Sequence, residues 1–284
     1  MSEAVFSEIL SGLFDHTVVP YLGPGVLADV TSKVNGAPMP ADSNSLILAM
    51  NGGKPMALKL MYEFPRAAMN QELKRGRTFL TQFLDKVYKD TQWTRAAVHD
   101  WLCEWKPRYV IDINRDSQLQ DSYADEEHTL IVGLARIVGS HYRFKIYHYD
   151  GKAYEEIDQQ SVDTDLPILF KPMGTANPEP NYIASDADYV DYITELMGGF
   201  AIPDFLKEYR KGKKYLLLGL PLNRDSERMV MSDIVYGADE HKGWFFRENP
   251  TDKEKRFAER MGFTLIDTAC QELHGLVEKF DDGS

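Results

Sequence analysis

The sequence predicts an α/β fold: a parallel sheet with helices on both faces and a helical insertion. Short apolar runs recur along the chain, and segments of helical spacing separate them. The strongest run, Tyr215-Leu216-Leu217-Leu218-Gly219-Leu220, is apolar at successive positions, as in a strand buried on both faces. Strands that alternate with helices need crossover connections, hence a parallel sheet.

Residues 4–14 place Val5, Ile9, Leu10 and Leu13 on one helical face. Residues 17–22 form a short strand ended by Gly23-Pro24-Gly25, and a helical pattern restarts at Val26-Leu27. Residues 35–55, rich in Gly, Pro, Asn and Ser, read as a long connection with a short helix near 45–50. Helical patterns at 56–63, 67–89 and 92–104 then interrupt the alternation. They suggest an insertion or cap at about 36–106 within one domain spanning 1–284. Next come a strand at 108–114, a helix at 126–138, and strands at 142–149 and 167–171. Helices at 187–196 and 203–209 precede the strand at 215–220, and a helix follows at 225–235. Strands at 243–247 and 263–267 flank a helix at 251–261, and a last helix is expected at 268–280.

Composition narrows the function. Of the 284 residues, 43% are apolar, enough for a large core. No run approaches the length of a membrane span, and the start Met1-Ser2-Glu3-Ala4-Val5-Phe6 lacks a basic signal region, so the expected address is cytoplasmic. A net charge of −12 disfavours nucleic acid and anionic membrane as partners. It leaves room for a small anionic ligand cradled by backbone amides. Two cysteines, Cys103 and Cys270, exclude a disulfide framework and a four-cysteine zinc site, and both read as buried core thiols.

Four strand ends carry polar or glycine-bearing loops suited to one crevice. The first is Leu22-Gly23-Pro24-Gly25-Val26, a glycine turn between strand and helix, where a phosphate can meet helix amides. Taken alone, the glycines equally fit a tight turn. The second is Ile113-Asn114-Arg115-Asp116; Asn114 is suited to a ribose hydroxyl or a water, and an ordinary Asx turn is the alternative. Third is Lys171-Pro172-Met173-Gly174, and fourth Gly219-Leu220-Pro221-Leu222-Asn223-Arg224-Asp225.

In order and spacing these elements resemble the bacterial sirtuin-like family over about residues 15–280. That family carries Gly-Ala-Gly, Thr-Asn-x-Asp, Lys-Leu-His-Gly, a helix opening near Asp-Tyr (here Asp188-Tyr189), and Gly-x-Ser-x-x-Asp. The resemblance implies a Rossmann-like fold that binds NAD or an ADP-ribose derivative. The implied contacts are Gly23, Pro24, Gly25, Val26, Asn114, Asp116, Gly174, Gly219, Leu220 and Asp225. Asn114 is the one implied catalytic residue.

The departures are chemical. Met173 stands where the family's histidine acts as general base, and a thioether takes no proton at neutral pH. Pro24 removes a backbone donor, Ile113 replaces a threonine, and two cysteines cannot build the zinc module of sirtuin deacylases. The resemblance then implies a nucleotide-binding sensor or regulatory protein without deacylation or zinc, in which NAD cleavage is slow. Two alternatives stay open: an NAD glycohydrolase with a displaced base, for which His128 and His148 are the candidates, and an interaction protein with a vestigial crevice. A protein partner and a homo-oligomer stay open as well. The acidic run Asp125-Glu126-Glu127-His128 reads as a helix start rather than a metal site.

Overall fold

A computed structural model describes residues 3–273. Nine strands form one sheet. In chain order they are β1 (Val18–Leu22), β2 (Tyr109–Asp112), β3 (His128–Gly133), β4 (Phe144–Tyr149), β5 (Tyr154–Ile157), β6 (Ile168–Lys171), β9 (Lys214–Leu218), β10 (Gly243–Phe246) and β11 (Phe263–Ile266). Two further short strands, β7 (Gly174–Thr175) and β8 (Asn181–Tyr182), pair separately. The order across the main sheet is β11-β10-β9-β1-β2-β6-β3-β4-β5. From β11 to β3 every pairing is parallel, whereas β4 and β5 add an antiparallel edge. The sheet is therefore α/β and Rossmann-like, but mixed rather than wholly parallel.

Successive strand residues feed two cores, because side chains alternate across a pleated sheet. Val18, Leu22, Leu216 and Leu218 pack on one face with α1 (Glu3–Phe14), α2 (Ser43–Met50), α3 (Phe64–Arg75), α4 (Arg77–Asp85) and α5 (Ala97–Trp105). Val19, Tyr21, Tyr215 and Leu217 pack on the other. There they meet α7 (Asp186–Met197), α8 (Asp204–Tyr209), α9 (Asp225–Ile234) and α10 (Asp252–Met261). A short helix, α6 (Gln118–Ser122), follows β2.

Several local readings are corrected. Residues 126–138 are not a helix: His128-Thr129-Leu130-Ile131-Val132 is a β-branched run that forms β3, buried along its whole length. Asp125 and Glu126 therefore serve no helix dipole; both pair with Lys106. Residues 56–63 form turns between Pro55 and Pro65. The single helix expected at 67–89 is broken at Gly76, whose φ of 85° lies in the left-handed region, and ends in a π turn over Lys86–Asp90. Cys103 is only half-buried, whereas Cys270 is buried, and burial pushes its thiol up to about 12. Of the expected helix at 268–280, Cys270–Glu272 form a 3₁₀ turn, and residues 274–280 lie outside the described residues. Among the described residues no helix is long and apolar enough to cross a membrane.

Insertion and sheet are bolted together by charge. Asp188, at the start of α7, accepts the amides of Ala184 and Ser185 at 2.9 Å. It also pairs with Arg77 and Arg136, each at 2.6 Å. Burial alone would raise its pKa; the Arg77 bond and the two amides outweigh this and lower it.

Candidate functional site

The four motif-bearing strands are neighbours in the order β9-β1-β2-β6. Since they are parallel, their carboxyl ends share one edge of the sheet. Chain order reverses between β1 and β9, and such a switch point is where open α/β sheets hold ligands. A cleft opens there with two adjoining compartments. The inner one, about 540 Å³ including its opening to solvent, is walled by Phe64, Tyr88, Met173 and Tyr189 and carries Asn114, Arg115, Glu63 and Glu227. The outer one, about 1660 Å³ and open to solvent, runs along Gly25, Gly219 and the start of α2, with Arg247 at its rim. Pro24, Ala41, Ser43, Arg224 and Glu227 line both.

Backbone-to-backbone packing explains the glycines. A Cβ on Gly25 would lie 2.7 Å from the Gly219 Cα, and one on Gly219 would lie 2.5 Å from the Val26 nitrogen. Gly219 also has a φ of 65°, which disfavours a side chain. The turn is not an amide cradle, however. Gly23 N–H donates to the Leu218 carbonyl and Gly25 N–H to that of Gly219, both at 2.8 Å, and Val26 N–H donates to Gly23 at 3.1 Å. Pro24 has no donor to offer. The sequence-level idea that these amides receive phosphates is therefore corrected: their hydrogens are spent within the fold.

Asn114 is drawn into the same place. Its Nδ2 donates to the Gly23 carbonyl at 3.0 Å and to Asp112 Oδ1 at 2.8 Å. Two acceptors fix the amide's orientation and leave its carbonyl oxygen for the pocket. Asp112 is held in turn by Lys171, at 2.6 Å, with both side chains fully buried. Burial raises the Asp112 pKa, and the Lys171 charge pulls against it. Lys171 of the third motif thus reaches Asn114 of the second through Asp112.

Other sequence-level candidates lie elsewhere. Asp116 lines a polar cleft with Lys33, Arg95 and Asp121, which adjoins the inner compartment at Tyr88. Its Oδ1 accepts the Gln118 amide at 2.9 Å. Gly174 sits in the β7–β8 hairpin, opposite Tyr182. Val26 and Leu220 are core residues, and Asp225 is exposed and pairs with Arg228. Met173 does line the inner compartment.

Neither candidate for a displaced histidine base reaches the cleft. His128 and His148 sit at the amino-terminal end of β3, the opposite edge of the sheet, where Thr129 faces His148. The His128 ring is taken by the Tyr154 hydroxyl at 2.7 Å and the Glu126 carbonyl at 3.0 Å, and burial lowers its pKa. Among the described residues no histidine lines the cleft.

Sequence reasoning missed the residues that give the cleft its charge. Arg224 makes no ion pair among the described residues; its guanidinium lies 4.4 Å from the Tyr62 ring centroid. Arg115 is committed to the Ile183 carbonyl at 2.6 and 3.0 Å and to the Tyr189 hydroxyl at 3.3 Å. Glu63 immediately precedes α3 and accepts from Ser226 Oγ at 3.3 Å. Arg224, Ser226 and Glu227 flank Asp225, where the fourth motif ended, so their only sequence signal was proximity to a strand end. For Glu63 there was none.

The profile of the SIR2-like domain matches residues 108–266, more than half of the chain. The match begins after the helical insertion, so β1, its glycine turn and Glu63 lie outside it. No curated protein matches the chain. With a Rossmann-like sheet, four adjacent strand ends meeting at one cleft and this match, the chain belongs to the SIR2-like domain family.

Proposed function

We propose that the protein binds NAD or an ADP-ribose-type nucleotide in this cleft and acts as a sensor or regulatory protein, not as a deacylase. One domain carries the site, with the insertion at 36–106 as its cap. The observation that supports the reading most is the cleft's place at the switch point between β1 and β9, joined to the presence on its wall of Arg224, which makes no ion pair among the described residues. Arg224 and Arg247 line the outer compartment, where a diphosphate fits; Phe64, Tyr88 and Tyr189, with Asn114 among several polar and charged groups, make the inner one suited to a ring and its ribose. Gly25 and Gly219, packed backbone to backbone, line the outer compartment, and phosphate recognition passes to Arg224 in place of the turn's amides. Deacylation is left out because Met173 cannot accept a proton.

Arg224 provides the test. Loss of a charge-assisted contact to phosphate costs about 1.5–3 kcal/mol, or roughly 10- to 150-fold in affinity. Arg224→Ala should weaken NAD and ADP-ribose by that factor in calorimetric titration, with little change in melting temperature. Equal affinity in the variant and the parent would place the phosphates elsewhere.

A further inference from the structure

The polar cleft that holds Asp116 lies beyond Tyr88 and measures about 660 Å³ including its opening to solvent. Local contacts of the insertion assemble it. Lys33 N–H donates to the Gln92 carbonyl at 2.9 Å and Thr94 N–H to that of Thr31 at 2.8 Å, which sets Lys33 beside Trp93. Trp93 Nε1 donates to the Val87 carbonyl at 2.7 Å, so the indole is fixed against the π turn that carries Tyr88 and Lys89. Two aromatic walls, Tyr88 and Trp93, thus stand below two exposed lysines, Lys33 and Lys89. Neither lysine makes an ion pair among the described residues.

Asp116 lies deeper, only 3% exposed. The Gln118 amide takes its Oδ1, and its buried Oδ2 has no hydrogen-bond partner. No neighbouring cation supplies one. Arg95 is held by Asp100 at 2.7 Å, by the His99 carbonyl at 3.1 Å and by the Ser122 hydroxyl. Lys171 is spent on Asp112. His99 is fully buried, and burial holds its pKa down to about 3, so its ring is neutral. A buried carboxyl oxygen without a donor is costly, and a cationic group that also meets two ring faces relieves it. Asp121, a second carboxyl on the wall, adds to the attraction. The lysines at the solvent side call for the opposite charge.

We propose that this cleft is a subsite for a small zwitterion of the amino-acid class, its ammonium on Asp116 between Tyr88 and Trp93 and its carboxylate on Lys33 and Lys89. The inference goes beyond the nucleotide reading and does not depend on it. A plain amine leaves the two lysines without an anion, and a plain carboxylate leaves Asp116 Oδ2 without a donor. A molecule that carries both charges gains from both ends of the cleft. Tyr88 walls this cleft and the inner compartment alike, whereas Lys33 and Lys89 line this one alone, so the lysines tell the two sites apart.

Calorimetric titration of the full chain with glycine, γ-aminobutyrate and ε-aminohexanoate, whose charges lie successively further apart, tests this beside butylamine and butyrate. At least one zwitterion should bind in the millimolar range, and about 10-fold or more tighter than butylamine or butyrate, the effect of one charge-assisted contact. Asp116→Asn, which keeps an oxygen for the Gln118 amide, should weaken that zwitterion by about 10-fold or more. The double variant Lys33→Ala with Lys89→Ala, both at exposed positions, should do the same and leave NAD and ADP-ribose titrations unchanged. Butylamine or butyrate binding as tightly as the best zwitterion would overturn the proposal, as would equal zwitterion affinity in the variants and the parent. A fall in nucleotide affinity in the double variant would make the cleft part of the nucleotide site and overturn it too. So would the absence of saturable binding of every zwitterion up to about 50 mM, whatever the nucleotides do.

Discussion

Lys171→Met is expected to destabilise the protein by about 3–5 kcal/mol, the usual cost of removing one partner from a buried ion pair. Lys171 and Asp112 are both fully buried and 2.6 Å apart, so the variant strands a carboxylate inside the sheet. That carboxylate also holds Asn114, through its backbone amide at 2.9 Å and its Nδ2 at 2.8 Å. Nucleotide affinity should fall together with stability. The pH sign follows from the raised pKa of Asp112. Without Lys171 it rises further, and a carboxyl with a raised folded pKa loses stability as pH climbs from its unfolded value toward its folded one. The defect should therefore be smallest near pH 4–5 and grow toward neutrality. Urea unfolding at several pH values reads this directly; a loss below about 1 kcal/mol at pH 7 would show that the pair carries little.

Gly25→Val should cost about 3 kcal/mol or more, at the upper end of overpacking penalties. The added Cβ would lie 2.7 Å from the Cα and 2.8 Å from the carbonyl oxygen of Gly219, backbone atoms that yield only if β1 and β9 move apart. From the sequence, where the turn reads as a phosphate cradle, this substitution is expected to abolish binding and spare the fold. The structure changes that expectation, because Gly25 is a packing position as well as a wall of the cleft. Gly25→Ala should show most of the same loss, since the clash begins at Cβ. A variant of parental melting temperature that has lost only nucleotide affinity would contradict this account.

What the sequence made legible follows from what its signals report. Continuous apolar runs such as Tyr215-Leu216-Leu217-Leu218 have few ways to be buried, so β9 and its loop could be placed. The prediction that four strand ends share a crevice holds at the level of topology, since β9, β1, β2 and β6 are adjacent. Residues 126–138 misled because a short apolar run has no periodicity to separate strand from helix; Thr129, Ile131 and Val132 were the better guide. The antiparallel partners β4 and β5 cover that edge, and β5, whose Glu155 and Glu156 are exposed between Tyr154 and Ile157, gave no continuous or alternating apolar signal. Hydrogen bonding decided the fate of the glycine turn, and no sequence motif reveals whether an amide is already spent. Glu63 and Glu227 lie far apart in the chain and meet only because the insertion folds back over the sheet edge, so neither could be paired with the other in advance.

The central claim is that the cleft between the β1 turn, the β9 loop and the insertion holds NAD or an ADP-ribose-type nucleotide. The most direct measurement is calorimetric titration of the purified chain, freed of any co-purified small molecule, with NAD and with ADP-ribose. One saturable site should appear, with affinity in the micromolar range, about −7 to −8 kcal/mol, and each nucleotide should compete with the other. The absence of saturable heat with both, up to millimolar ligand, would contradict the account.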